Sequence, residues 1–153
     1  MKTHFVRKAL ATAVLSAFTS GAYAQATIEE IVVVARKRAE NLQEVPIAVS
    51  VFTEAEIQTA GIQRPADFIS LIPNVTIVDT ANVGDTQVSI RGIVSTRDAE
   101  STFAYVVDGV LVTNPNGFNE ELLDVSQIEV LKGPQGALYG RNAVAGAILV
   151  TTN

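Results

Sequence analysis

The apolar residues of this chain are divided into short runs, and this limits its fold more than any other feature. After Ala24 no uninterrupted apolar run is longer than five residues, the length of Ile31–Ala35. A membrane-spanning helix needs about 20 apolar residues, so none is predicted there. Short runs rich in Val and Ile, bounded by Gly, Pro, Asn or Asp, are typical of β-strands. We therefore expect an α+β fold, a small mixed β-sheet with short helices and loops.

Helix signals separate these predicted strands. Thr53 and Glu56 form a capping box at the start of one helix, which Gly61 ends. Pro65 suits the first turn of a second helix, over Ala66–Ile72. Further short helices are predicted at Glu120–Asp124 and after Gly133-Pro134, and strands at Ile47–Phe52 (buried), Val75–Asp79, Gln87–Arg91, Ala104–Asp108, Val110–Val112, Ile128–Leu131 and Ala147–Val150.

The first 24 residues have the pattern of a secretory signal peptide. Lys2, Arg7 and Lys8 precede an apolar stretch, Ala9–Phe18, and Ala22-Tyr23-Ala24 forms a small-x-small cleavage site. We expect export through the Sec pathway and cleavage after Ala24. The mature segment would then be long enough for one hydrophobic core.

Composition excludes several classes of function. The segment after Ala24 holds all 16 carboxylates but only eight of the eleven Lys and Arg, a formal charge of −8. Nucleic acids attract basic surfaces, so no nucleic-acid partner is expected. The chain has no Cys, and its one His is His4, inside the predicted signal peptide. Without them the mature chain cannot build a Ser-His-Asp triad, a thiolate nucleophile or an ordinary zinc site. Most familiar hydrolytic and redox chemistry is therefore excluded.

Three other patterns have ordinary interpretations. The glycine series Gly133, Gly136, Gly140 and Gly146 lacks the spacing and the closing Lys of a phosphate loop, so turns and close packing are favoured. The adjacent pairs Glu29-Glu30 and Glu120-Glu121 point in different directions on a strand or helix and form no acid–base pair. Arg91 and Lys132 each end an apolar strand just before a glycine, where a charged residue at the water boundary is common.

Four strings of residues resemble a known family in their order along the chain. They are EIVVVA at 30–35, VSIRG at 88–92, YVVDGV at 105–110 and IEVLKGPQGALYGRN at 128–142. The last is highly specific. The chain thereby resembles the N-terminal plug of a TonB-dependent outer-membrane receptor. In that family a 22-stranded β-barrel, normally in the same chain, surrounds the plug, and the periplasmic protein TonB pulls on it. The implied division is signal peptide 1–24, TonB box and flexible tether 25–44, and plug domain 45–153.

The resemblance also implies roles for individual residues. Arg91 and Lys132 would lock the plug against glutamates of the barrel wall. The family more often has Arg in place of Lys132, and Lys lacks the bidentate fork of a guanidinium, so this lock should be looser. The box would be an unpaired strand that adds to the edge of a TonB sheet. TonB-binding residues are then Glu30, Ile31, Val32, Val33, Val34 and Ala35, and outward loops would place Asn82, Asp85, Arg97, Asn114 and Asn116 on the substrate side.

The function implied is a non-enzymatic gate in the outer membrane, without a cofactor or metal, for energised uptake of a scarce nutrient, such as an iron–siderophore complex, cobalamin or a carbohydrate. Asn153 falls about where the barrel should begin, so we expect a fragment of a longer receptor or a truncated reading frame. Two alternatives stay open. One is a free periplasmic TonB-binding module or a truncated receptor that does not transport. The other is a small exported glycosidase, which needs two carboxylates roughly 5–9.5 Å apart.

Overall fold

The computed structural model describes residues 31–34, 38–79, 86–95, 100–113, 118 and 120–153. The predicted signal peptide lies outside these ranges. So do Glu30 and Ala35 of the predicted box, and all five predicted substrate-side residues, Asn82, Asp85, Arg97, Asn114 and Asn116.

The described residues form short strands and helices, as the short apolar runs predict. The helices are α1 Glu54–Ala60, α2 Pro65–Ser70 and α3 Gly136–Tyr139, with a 3₁₀ helix at Leu42–Glu44. None of the helices in the described ranges has the length and apolar character needed to cross a membrane. The strands are β1 Val32–Val33, β2 Glu40–Asn41, β3 Ala48–Thr53, β4 Val75–Asp79, β5 Thr86–Ile90, β6 Ile93–Val94, β7 Phe103–Val107, β8 Val110–Val112, β9 Val125–Lys132 and β10 Gly146–Thr152.

A five-stranded mixed sheet organises the molecule. Its strand order is β3-β9-β10-β7-β8. β10 and β7 run parallel, whereas the other neighbouring pairs are antiparallel. A second, antiparallel sheet has the order β4-β5-β6, and β1 pairs with β2 alone. The predicted α+β fold is confirmed.

The two faces of the five-stranded sheet bury different residues because successive side chains of a strand alternate between faces. One face carries Ile128, Val130, Ile148 and Val150, which pack with apolar residues of both longer helices and of β4 and β5. The other face is smaller and includes Leu131, Leu149, Val106, Ala104 and Ala147. Residues near the N-terminus cover part of this face, since Val33 and Val45 belong to the same cluster.

Gly146 makes the centre of the sheet possible. A Cβ atom on this residue would collide with the backbone oxygen of Leu131 in β9 and lie 3.3 Å from Ile90 Cδ1. Only glycine allows β9 and β10 to pack this closely here. This confirms the packing interpretation for one glycine of the series.

Two of the predicted helix starts, at Thr53 and at Pro65, are confirmed. Glu56 Oε2 accepts hydrogen bonds from the Thr53 backbone N–H at 2.8 Å and the Thr53 hydroxyl at 2.9 Å. Gly61 ends this helix with a φ of 66°. Pro65 is the first residue of α2.

Three local predictions are wrong. Glu120–Asp124 is not a helix, because Leu122 N–H donates to Gln63 O at 2.8 Å and Asp124 has a φ of 52°, outside the helical region. The strand predicted at Ile47–Phe52 exists as β3, but it is an edge strand and only half-buried. The predicted strand end at Arg91 is instead a two-residue turn, Arg91-Gly92, with positive φ at both residues, as type I′ hairpins require.

Candidate functional site

The described part of the predicted TonB box, Ile31–Val34, is called the box segment below. It is not the unpaired strand expected from the sequence. Val32 pairs with Asn41 and Val33 with Glu40 in an antiparallel hairpin. Leu42 N–H also donates to Ile31 O at 3.1 Å. One edge of the box segment is therefore occupied by the chain that follows it.

The other edge of the box segment is held by two side chains of β9. Glu129 Oε1 accepts a hydrogen bond from the Val34 backbone N–H at 2.9 Å. Gln127 Nε2 donates to the Val32 carbonyl oxygen at 3.1 Å. The same amide nitrogen lies 3.1 Å from Glu129 Oε1 and donates to it. Polar groups on both edges of the segment thus have partners within the chain.

Side chains of the box segment alternate between core and solvent. Val33 is fully buried in the cluster on the smaller sheet face. Its neighbours Val32 and Val34 are 47% and 45% exposed. Burying one Val contributes about 1.5–3 kcal/mol. The segment is thus attached to the rest of the domain by the buried Val33, by the partly buried Ile31 and by backbone hydrogen bonds.

Glu129 is unusual in this sheet because it is a carboxylate with only 1% of its surface exposed. Burial, and then the charge of Glu129, raise the pKa of the Tyr139 phenol, which places the carboxylate close to that ring. Sequence analysis did not select Gln127 or Glu129. The available signal was a charged residue between the apolar residues Ile128 and Val130 of a predicted strand.

The two predicted lock residues are brought to one corner of the molecule. Arg91 lies in the turn between β5 and β6, and its N–H donates to Asn74 O at 2.8 Å. Its Nη1 lies 3.2 Å from the point where a Cβ atom would stand on Gly133. Gly133 has a φ of 121° and directly follows Lys132. Glycine therefore lets the guanidinium approach the backbone next to the second lock residue.

Lys132 is half-buried at the end of β9, and its Nζ donates to Ser50 Oγ at 3.1 Å. Within the described ranges no carboxylate forms an ion pair with Arg91 or Lys132. An ammonium group has three donors, and one is used on Ser50. The corner therefore presents two cations that carboxylates from another structural unit can approach.

Comparison with known proteins identifies the class of this fold. Residues 41–147 match the family model described as the TonB-dependent receptor plug domain. The vitamin B12 transporter BtuB of Vibrio vulnificus (strain CMCP6) is 32% identical over 94% of this chain and 24% of its own length. The pesticin receptor of Yersinia pestis is 31% identical over 69% of this chain and 16% of its own.

Solved structures give the same result. The ferric yersiniabactin uptake receptor FyuA from Yersinia pestis matches with a TM-score of 0.64 and 30% identity, over 70% of this chain and 17% of its own. The ferripyoverdine receptor of the Pseudomonas aeruginosa outer membrane shares the fold, with a TM-score of 0.65 and 19% identity over 80% of this chain and 16% of its own. The chain thus spans about a quarter or less of the length of these relatives.

Proposed function

This chain belongs to the TonB-dependent receptor plug domain family, and from that membership we propose that it gates an outer-membrane receptor for energised uptake of a scarce nutrient. The plug is a non-enzymatic part of such transporters. In this proposal residues 25–44 carry the TonB box and its tether, and residues 45–153 close the lumen of a 22-stranded barrel. TonB binds the box from the periplasm and pulls on the plug.

The observation that carries this proposal is the form of the box segment, a short Val/Ile strand at the N-terminal end of the plug. Its three valines alternate between buried and exposed sides. Once it is released from β2 or from Gln127 and Glu129, such a strand offers backbone donors and acceptors for affinity, and alternate side chains for register, to the sheet edge of a partner. Glu30, Ile31, Val32, Val33, Val34 and Ala35 are the proposed contact residues.

The lock corner supports the gating part of the proposal. This lock corner consists of Arg91 and Lys132, with Gly133 next to Lys132 in the chain and close to the Arg91 guanidinium. Glutamates of a barrel wall facing this corner would form charge-assisted hydrogen bonds with both cations. Such contacts hold a plug in place until a force displaces it.

The names of relatives guide the choice of substrate. They include a vitamin B12 transporter and a ferric yersiniabactin uptake receptor. The first name specifies a vitamin and the second a ferric compound. We propose a scarce nutrient of this kind as the ligand, an iron–siderophore complex first, in contact with Asn82, Asp85, Arg97, Asn114 and Asn116.

A titration of the periplasmic domain of TonB tests the proposed function. The titrants are the chain and a synthetic peptide of residues 27–37. The matched control is a peptide in which the valines at 32, 33 and 34 are glycines, which have low strand propensity and no side chain for register. We expect saturable binding of the parent peptide and none of the control. Absence of binding by the parent peptide would contradict the proposal.

A further inference from the structure

We propose that Gln127 and Glu129 form a latch that closes the box segment to any partner strand. The identity of that partner rests on the proposed function, whereas the latch itself is a contact within this chain. The latch is defined as the two β9 side chains that bind Val32 O and Val34 N–H.

The latch reproduces the hydrogen bonding of a neighbouring strand. Within a strand the polar backbone groups of residues i and i+2 face the same edge. Val32 O and Val34 N–H have this spacing, and Gln127 and Glu129 have the same spacing on β9. An amide that donates and a carboxylate that accepts match the carbonyl and the N–H opposite them. The two side chains thus take the place that a third strand would occupy.

The hairpin occupies the opposite edge of the described segment. Strand addition requires an edge with free donors and acceptors. The β2 strand uses one edge of the box segment, and the latch uses the other. A partner strand must displace one of them before it can pair. On the latch side, breaking the two side-chain hydrogen bonds is enough to open the edge of the segment.

Apolar packing alone does not fix the end of the segment at Val34. A cavity of about 290 Å³ lies beside this residue, lined also by Val106, Leu138, Tyr139 and Leu149. Val33 anchors the preceding position, but the Val34 side chain is 45% exposed. The hydrogen bond to Glu129 therefore does most to determine whether this end stays docked.

The sheet itself does not need a carboxylate at position 129. A buried charge is costly unless hydrogen bonds compensate it, whereas an apolar side chain at this position would pack with the apolar residues around it. Glu129 shares its face with Leu131 and the small apolar cluster there. A leucine at 129 should thus keep the fold while removing the acceptor for Val34.

Hydrogen exchange at the Val34 amide tests the latch in the full chain, without any partner. We compare the parent with Glu129→Leu and Glu129→Gln. Glutamine still has an oxygen that accepts a hydrogen bond, so the protection of the Val34 amide in Glu129→Gln should stay near that in the parent. Leucine has no such oxygen. We expect exchange at Val34 in Glu129→Leu to accelerate on the order of tenfold or more, because a hydrogen bond to a charged group is lost. The Ile148 amide in central β10 should keep its protection in all three.

A third variant separates latch opening from general destabilisation. Glu56→Ala removes the capping contact of α1, far from the latch in the sequence, and should lower global stability by about 1 kcal/mol. In this variant the acceleration of amide exchange at Val34 should be no larger than the acceleration at Ile148. Equal protection of the Val34 amide in the parent and in Glu129→Leu would overturn the latch. So would a Val34 exchange rate in the parent equal to that of an unstructured peptide.

A binding measurement then connects the latch with its partner. With the TonB periplasmic domain as probe, Glu129→Leu should bind more tightly than the parent chain and approach the affinity of the 27–37 peptide. If the peptide binds but Glu129→Leu gains nothing over the parent, the latch does not control access and the proposal is wrong. If the peptide itself fails to bind, the partner assignment falls, while the exchange result still decides the latch.

Discussion

Asp108 holds Thr152 by two hydrogen bonds. Its Oδ1 accepts from the Thr152 backbone N–H at 2.9 Å, and its Oδ2 accepts from the Thr152 hydroxyl at 2.8 Å. Asp108 lies in the turn between β7 and β8, whereas Thr152 is the last residue of β10. The next residue is held as well, because Asn153 N–H donates to Asp124 O at 2.9 Å. These contacts fix the last residues of the chain to the sheet.

This pair predicts acid sensitivity. The hydrogen bonds from Thr152 lower the pKa of Asp108 below its ordinary value of 3.8. A lowered pKa in the folded state stabilises the fold fully above the unfolded value and loses that contribution as the pH falls through the folded value. Asp108→Asn should be less stable than the parent above about pH 4, and the difference should shrink below it. Urea unfolding from about pH 5 to about pH 2 measures this difference. A difference independent of pH would contradict the assignment.

Gly146 gives a prediction about packing. Gly146→Ala places a Cβ atom against the Leu131 backbone oxygen, which cannot move without separating β9 from β10. We expect a loss of about 1–3 kcal/mol in the free energy of unfolding. The matched control is Gly136→Ala, at a position with open space for a Cβ atom and in a helix that favours alanine. Equal unfolding free energies for the two variants would show that β10 has room at residue 146.

The lock corner gives a prediction for a receptor that carries this plug. Arg91→Ala should leave a barrel glutamate without its partner and increase the permeability to large antibiotics several-fold, because removing one member of a buried pair is costly. Lys132→Arg should reduce the leak or leave it unchanged, since a guanidinium can bind a carboxylate through two hydrogen bonds. Growth inhibition by a large antibiotic at matched receptor expression measures both. Unchanged sensitivity of Arg91→Ala would return Arg91 to an ordinary turn residue.

Ser50 is the control for that experiment. Its hydroxyl accepts from Lys132 Nζ, so Ser50→Ala frees the ammonium without removing its charge. The permeability of this variant should stay near that of the parent. A leak as large as that of Arg91→Ala would mean that local packing in β3, and not the paired cations, closes the channel.

Local signals predicted much of the fold. The capping box at Thr53 and Glu56 and the proline at Pro65 act over a few residues, and each is found where it was expected. Glu120–Asp124 was wrong because a distant partner, the Gln63 carbonyl, holds Leu122 in an extended chain. No pattern within five residues contains that contact.

In the candidate site, too, local features were predicted and contacts between distant residues were missed. The sequence selected the box segment, Arg91 and Lys132, but not the residues that hold them. Gln127 and Glu129 are 95 residues from their partners Val32 and Val34, a separation that no spacing rule covers. The approach of Arg91 to Gly133 likewise depends on how the two sheets pack. Pairing of the box segment was therefore missed, and a flexible strand was expected in its place.

Binding of the TonB periplasmic domain to the full chain with Val33→Pro or Val33→Thr tests the central claim most directly. Both variants weaken docking, because Val33 is fully buried and threonine brings a hydroxyl into an apolar cluster. Only proline also removes a backbone donor and resists strand pairing. If TonB pairs with the box through its backbone, Val33→Thr should bind at least as tightly as the parent, whereas Val33→Pro should not bind. Equal affinity of the two variants would contradict recognition of the box segment by strand addition.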